Sequence, residues 1–270
     1  MTEKEYNEAK GIRRSDLWKM EDSPEKFKYF LEHPEEQTAA MAFGSACHKM
    51  ILEPETFGDE YAIAPQCDRR TKEGKAMWNA FAEDNEGKTI VGFDDAQAMA
   101  DMETALEECP LAYQILRTMK GTAETPFFWT DPDTGEDCKI KLDRLGEWDD
   151  GKLVVVDYKT ATSAETNRFC HDVFKLGYHM QAAMYTEGVQ IALGLDYRPQ
   201  FIFVVQEKKA PYAVNVIEVS DDVMRAGTAK FHELLQKYSE CKAVDIWPGY
   251  VSDIPNETIL PGWYMAGDEE

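Results

Sequence analysis

Leu153-Val154-Val155-Val156 runs directly into Asp157-Tyr158-Lys159. Four consecutive apolar residues, three of them β-branched, bounded upstream by the turn-forming Asp149-Asp150-Gly151, read as a strand buried on both faces. The polar end of that strand carries the chemistry. Asp157 and Lys159 are two residues apart and so point to the same face of a strand. Upstream, Lys139-Ile140-Lys141-Leu142 leads into Asp143. If the two segments pair through the Asp149-Asp150-Gly151 turn, both aspartates come to one edge of a sheet. Converging carboxylates suit oxygen-preferring ions such as magnesium or manganese. Two such ions supply the nucleophilic water, the charge stabilisation and the leaving-group help that phosphodiester hydrolysis needs. Each residue also has a plainer reading, Asp157 as a strand-end turn residue and Lys159 as an exposed lysine, and a lone D-x-K is a common pattern.

Towards the C-terminus, Tyr178 to Leu193 reads as a helix closed by Gly194. Gln181 and Tyr185 are four residues apart and share one of its faces, placed to orient a phosphate and a nucleotide or simply to form an amphipathic edge. Phe201 to Val205 reads as a second buried strand, Ala213 to Val219 as an alternating one, and Ser220-Asp221-Asp222 as the capped start of a helix reaching about Tyr238. Towards the N-terminus, Asp131-Pro132-Asp133-Thr134-Gly135 marks a hairpin turn between Thr125–Thr130 and Cys138–Leu145. Before Glu124 the pattern is helical. Ser23 caps a helix that begins at Pro24, and further helices are expected from about Thr38 to Leu52, Lys72 to Glu83 and Asp94 to Glu108. His48 lies on the second of these among Ala46, Met50 and Ile51, where a histidine taken alone reads as a core or interfacial residue before it reads as a ligand.

A chain of 270 residues with 43% hydrophobic and 11% aromatic content buries a full core, which excludes general disorder. We expect a single domain over 1–270, mainly helical over 1–120, with an α/β core over 121–246 and an irregular acidic tail over 247–270. The charged N-terminus and the lack of a bilayer-length apolar stretch point to a cytoplasmic protein with no membrane association. Cys47, Cys67, Cys109, Cys138, Cys170 and Cys241 form no C-x-x-C pair, which argues against a zinc knuckle or a disulfide framework. The net charge of −22 opposes phosphate binding and keeps open an acidic decoy that mimics DNA to a DNA-processing enzyme. Two features offset it. Ions bound by carboxylates reverse the local charge, and Arg13-Arg14, Arg69-Arg70-Thr71-Lys72 and Lys208-Lys209 are basic groups able to line a local groove or to form solvated faces. Arg69, Arg70 and Lys72 are the expected DNA contacts.

Lys141-Leu142-Asp143-Arg144, Val156-Asp157-Tyr158-Lys159-Thr160 and Gln181-Ala182-Ala183-Met184-Tyr185, preceded by Gly44-Ser45-Ala46-Cys47-His48, resemble in order the motifs of the RecB-like branch of the PD-(D/E)XK nucleases. Asp22-Ser23-Pro24, Leu52-Glu53-Pro54, Arg69-Arg70-Thr71 and Tyr178-His179-Met180-Gln181 narrow the resemblance to exonucleases of the RecE type (exonuclease VIII), over nearly the whole chain. The resemblance implies a restriction-endonuclease-like α/β fold, a mixed sheet flanked by helices, with a helical N-terminal elaboration. It implies Mg2+ or Mn2+ held by His48, Asp143, Asp157 and the Tyr158 backbone carbonyl, with Lys159 acting on the attacking water, Gln181 and Tyr185 organising the site and Glu124 in support. A histidine ligand of ordinary pKa implies metal binding that weakens below about pH 6.5. Some relatives carry an iron–sulfur cluster on one early and three late cysteines; only Cys241 lies late here, so no cluster is expected. The implied activity is 5′ to 3′ resection of double-stranded DNA ends, leaving 3′ single-stranded tails. The implied setting is a phage or prophage in a bacterial cytoplasm, with a RecT-like annealing partner and a ring-like homo-oligomer such as a tetramer. A RecB-like repair nuclease of other polarity is the alternative within the class.

Overall fold

The computed structural model describes residues 1, 3–34, 38–250 and 257. In chain order the helices are α1 (Glu3–Glu8), α2 (Arg14–Leu17), α3 (Pro24–Glu32), α4 (Ala39–Leu52), α5 (Phe57–Glu60), α6 (Lys72–Asp84), α7 (Phe93–Glu107), α8 (Pro110–Tyr113), α9 (Thr166–Lys175), α10 (Tyr178–Leu193) and α11 (Asp221–Val244). The strands are β1 (Tyr61–Ile63), β2 (Thr89–Val91), β3 (Gly121–Thr130), β4 (Asp137–Glu147), β5 (Leu153–Ala161), β6 (Gln200–Glu207) and β7 (Val214–Glu218). Strands β3 to β7 form one sheet in sequence order. Within this sheet the β5–β6 pair is parallel, because α9 and α10 provide the crossover that a parallel connection requires, and the other neighbours are antiparallel.

The unbroken apolar character of β5 and β6 follows from this position. On one face Val155, Phe201, Phe203 and Val205 pack with Phe169, Met180, Met184, Phe231 and Leu234 from α9, α10 and α11. On the other, Val154, Val156, Tyr158, Ile202 and Val204 pack with Cys47, Ile51, Met99, Met102 and Leu106 from α4 and α7. The result is a mixed sheet between two helical layers. Each fully buried side chain of this kind contributes about 1.5–3 kcal/mol, so β5 is a costly strand in which to place a charge.

Several helix starts follow the capping logic. Ser23 Oγ accepts from the Lys26 amide at 3.2 Å with Pro24 beginning the helix, and Thr38, Thr71 and Ser220 cap α4, α6 and α11 in the same way. Gly194 closes α10 in the left-handed conformation, φ 64°. Three expectations are corrected. Strand β5 does not end with Asp157-Tyr158-Lys159 but runs on to Ala161, because β6 pairs with it over that whole length. Helix α11 extends past Tyr238 to Val244, and Gly121–Glu124 belongs to β3. Helix α9 and the parallel β1–β2 pair were not among the expected elements. Of the tail expected over 247–270, only Trp247–Tyr250 and Glu257 are described; Trp247 stacks on Phe27 with centroids 5.4 Å apart, and the rest lies outside the described residues. Among the described residues no helix is long and apolar enough to cross a membrane.

Candidate active site

Strands β4 and β5 pair from Glu147↔Leu153 up to Arg144↔Val156, and there the ladder stops. Asp143 and Asp157 come next. Asp143 Oδ2 accepts the Tyr158 amide proton at 2.8 Å, so a carboxylate takes the place of a strand carbonyl and the two strands part. Beyond the split, Cys138, Ile140 and Leu142 of β4 join the core beside Met180, Ala182 and Met184 of α10. Glu124 is skipped in the β3–β4 register between Ala123↔Arg144 and Thr125↔Leu142, and its φ is +48°. A non-glycine residue held there costs on the order of 1–3 kcal/mol, and such strain clusters at functional sites. Its Oε2 lies 2.5 Å from Lys141 Nζ.

Asp157 is 1% exposed. Its Oδ1 accepts from Gln181 Nε2 at 2.5 Å, which accounts for the position of Gln181 on the inner face of α10. Lys159 Nζ stands 2.5 Å from Oδ2, as the two-residue spacing on a strand predicts. There the ammonium donates to a carboxylate oxygen that is otherwise buried. His48 reaches in from α4, anchored by buried Cys47 and Ile51, and places Nδ1 3.4 Å from Asp143 Oδ2. Its ring hydrogen-bonds the Tyr158 backbone carbonyl and stands edge-on to the Tyr158 ring, centroids 5.2 Å apart. His48, Asp143, Asp157, the Tyr158 carbonyl and Lys159 are therefore one cluster. The Tyr158 hydroxyl faces away and donates to Gln206 at 2.7 Å.

Burial, and next the charge of Asp157, push the Asp143 carboxyl well above the usual range. Burial alone would lower Lys159, but the pull of Asp157, Asp143 and Tyr178 raises it above its ordinary value. Desolvation, helped by Lys159, lowers His48 to about 4. At neutral pH His48 is thus in its ligand form and Lys159 is charged, while burial and Asp157 make the Asp143 carboxyl harder to ionise than a free one. Burial thus moves proton competition at His48 itself below the range that an ordinary imidazole would give. The buried Asp157 carboxylate, a second carboxylate and an imidazole held neutral fit a divalent ion, with Lys159 as its neighbour.

Beside this cluster is a cavity of about 310 Å³ lined by Arg13, Arg14, Lys139, Lys141 and Lys159, with Gln181 and Tyr185. Lys139 is tied to the carbonyls of Tyr6, Asn7 and Ala9 at 2.6–3.2 Å, and Arg13 to Asp16 at 2.7 Å. Arg14 donates to the Leu176 carbonyl, lies 5.6 Å from the Tyr178 ring centroid and keeps its buried Nε unpartnered. Burial pushes the Tyr185 hydroxyl pKa upward, so it remains a donor. Arg69, Arg70 and Lys72 do not line this cavity: Arg69 lies 4.0 Å over the Trp78 ring, Arg70 pairs with Asp68 at 3.0 Å, and Lys72 is exposed at the start of α6. Lys139 and Lys141 were not assigned to the site from the sequence, and Arg14 was offered only within Arg13-Arg14 as one of three basic groups able to line a groove. For the two lysines a signal existed, because they alternate with buried Cys138, Ile140 and Leu142.

No curated protein matches the chain. Among solved structures, a "putative exonuclease" from Eubacterium rectale aligns over 99% of this chain and 98% of its own at 14% identity and a TM-score of 0.61, which is a likeness of fold. A second structure, SSO0001, covers 74% of this chain and 94% of its own, also at 14% identity, but at a TM-score of 0.32 it carries no argument. The family described as "PDDEXK-like domain of unknown function (DUF3799)" matches residues 14–255. With most of its length inside that match and the D, D-x-K pair at the split of β4 from β5, the chain belongs to this PDDEXK-like family.

Proposed function

We propose that the chain is a divalent-metal-dependent nuclease acting on double-stranded DNA ends. The observation that carries the reading is the junction of Asp143, Asp157 and Lys159 at the strand split, with His48 3.4 Å from Asp143 and Lys159 2.5 Å from the buried Asp157 carboxylate. Asp143, Asp157, His48 and the Tyr158 carbonyl would hold Mg2+ or Mn2+. When bound, such ions lower the pKa of the attacking water and offset charge on the phosphate. Lys159 keeps its proton, aims it at the same phosphate and orients the attacking water. Gln181 fixes Asp157 through Oδ1, which turns Oδ2 towards Lys159. Glu124 holds Lys141 at the rim, and Arg14 with Tyr185 offers donors in the cavity for a neighbouring phosphate. That cavity supplies the local basic groove that a chain of net charge −22 needs, and it replaces Arg69, Arg70 and Lys72 as the favoured contact.

The four ordered motifs support a finer reading: a RecE-type exodeoxyribonuclease working 5′ to 3′ in a bacterial cytoplasm, with a RecT-like annealing partner and in a homo-oligomeric ring. Digestion of linear duplex labelled at either end tests it. Magnesium should release the 5′ label first and chelator should stop the release. First loss of the 3′ label removes the polarity. The net charge favours one rival, an inert acidic DNA mimic. No release with magnesium or manganese, together with no duplex binding in calcium, would replace the nuclease by that rival.

A further inference from the structure

At the far end of the β3–β4 hairpin, Asp131 is 0% exposed. Its Oδ1 accepts from the Thr134 amide at 2.8 Å and from the Thr134 hydroxyl at 2.7 Å, which anchors the turn. Its Oδ2 is buried and has no hydrogen-bonding partner. Glu187 of α10 and His232 of α11 face it, and one ligand atom from each of the three lies within 4.8 Å of the others. His232 Nε2 is 3.1 Å from the Glu187 carboxylate. Arg198 Nη2, 3.0 Å from Glu187 Oε2, offsets one of the two carboxylates and makes no ion pair with Asp131. A buried carboxylate oxygen is costly unless a cation meets it, and here a ready imidazole stands beside it.

We propose that Asp131, Glu187 and His232 form a second divalent-metal site, of the zinc class, that ties the β3–β4 turn to α10 and α11. The donor set decides the class: one imidazole nitrogen with two carboxylates suits zinc, whereas magnesium prefers oxygen alone. His232 is 36% exposed in its side chain and leaves the ion a path from solvent, while Asp131 and Glu187 form the closed side. The site is separate from the nuclease centre. From Asp137, at the turn, to Asp143 is roughly 20 Å of strand, and from Gln181 to Glu187 is about 9 Å of helix. The metal here is a clamp between elements and takes no part in the proposed cleavage.

The test is zinc titration with calorimetry and thermal melting on the chelator-stripped full chain, as wild type, Asp157→Asn and His232→Gln. Wild type and Asp157→Asn should both take up a zinc that raises Tm. His232→Gln should lose that equivalent and the Tm gain while it retains magnesium-dependent cleavage near the wild-type rate. Equal zinc stoichiometry and equal Tm gain in His232→Gln and wild type overturn the proposal. Should His232→Gln not fold, X-ray absorption on zinc-loaded His48→Gln/Asp157→Asn, whose nuclease centre has lost its imidazole, decides. Ligation by nitrogen and oxygen alone at about 2.0–2.1 Å supports the site, and sulfur at about 2.3 Å, or no retained zinc, overturns it.

Discussion

His48 shows how burial sets what a residue can do. Desolvation holds it neutral down to about 4, so it is poised as a ligand over the whole physiological range. The same shift predicts a stability limb in metal-free protein. Between 6.5 and 4 the unfolded chain binds a proton that the folded chain does not, so this residue's contribution is complete above 6.5 and falls as pH drops towards 4. Allowing for its partial exposure, the loss is of the order of 2–3 kcal/mol. Asp143, raised by burial and by Asp157, acts with the opposite sign, so the difference between wild type and His48→Gln isolates the effect. Urea unfolding with chelator at pH 7.5 and 4.5 should cost the wild type more stability than His48→Gln, and parallel losses would contradict this account of His48. At this scale the sequence was legible where chemistry depends on short spacing. Asp157, Lys159 and Gln181 meet as strand and helix periods require. Arg14 was legible only as part of a basic pair able to line a groove, because the fold alone brings α2 beside Tyr178.

Helix α10 is the element that joins fold to site, since one helix carries Gln181, Tyr185 and Glu187 and packs against both the sheet and α11. The close approach of α11 depends on Gly227, where an added Cβ would lie 2.0 Å from the His179 carbonyl oxygen of α10. Backbone cannot yield as a flexible side chain does. Gly227→Ala should therefore destabilise the protein by about 1–3 kcal/mol through overpacking, measured by thermal or urea unfolding. A Tm at or above wild type would show that α10 and α11 can separate without cost. The central strands were legible because burial on both faces leaves an unbroken apolar run. The end of β5 was not, because polar Asp157 and Lys159 look like a strand terminus when only one neighbouring strand has ended. Helix α9 was legible but unread, since Phe169 and Val173 mark one helical face behind the capping Glu165, whereas β1 and β2 were hidden by their three-residue length.

Over the whole molecule, a net charge of −22 and a phosphate-handling site coexist because charge is distributed by place. Arg13, Arg14, Lys139, Lys141 and Lys159 gather around one cavity of about 310 Å³, next to carboxylates that a divalent ion would neutralise. The total charge was plain in the composition, whereas its segregation depends on α2, β4 and β5 meeting at one edge, which no local pattern specifies. The account stands on the claim that Asp157 and Lys159 form the reacting centre. Single-turnover cleavage of linear duplex DNA in magnesium, comparing wild type with Asp157→Asn and Lys159→Ala at matched folded fraction, tests it most directly. We predict a fall of about 10²–10³ or more in rate for each variant. Cleavage by either variant near the wild-type rate would contradict the account.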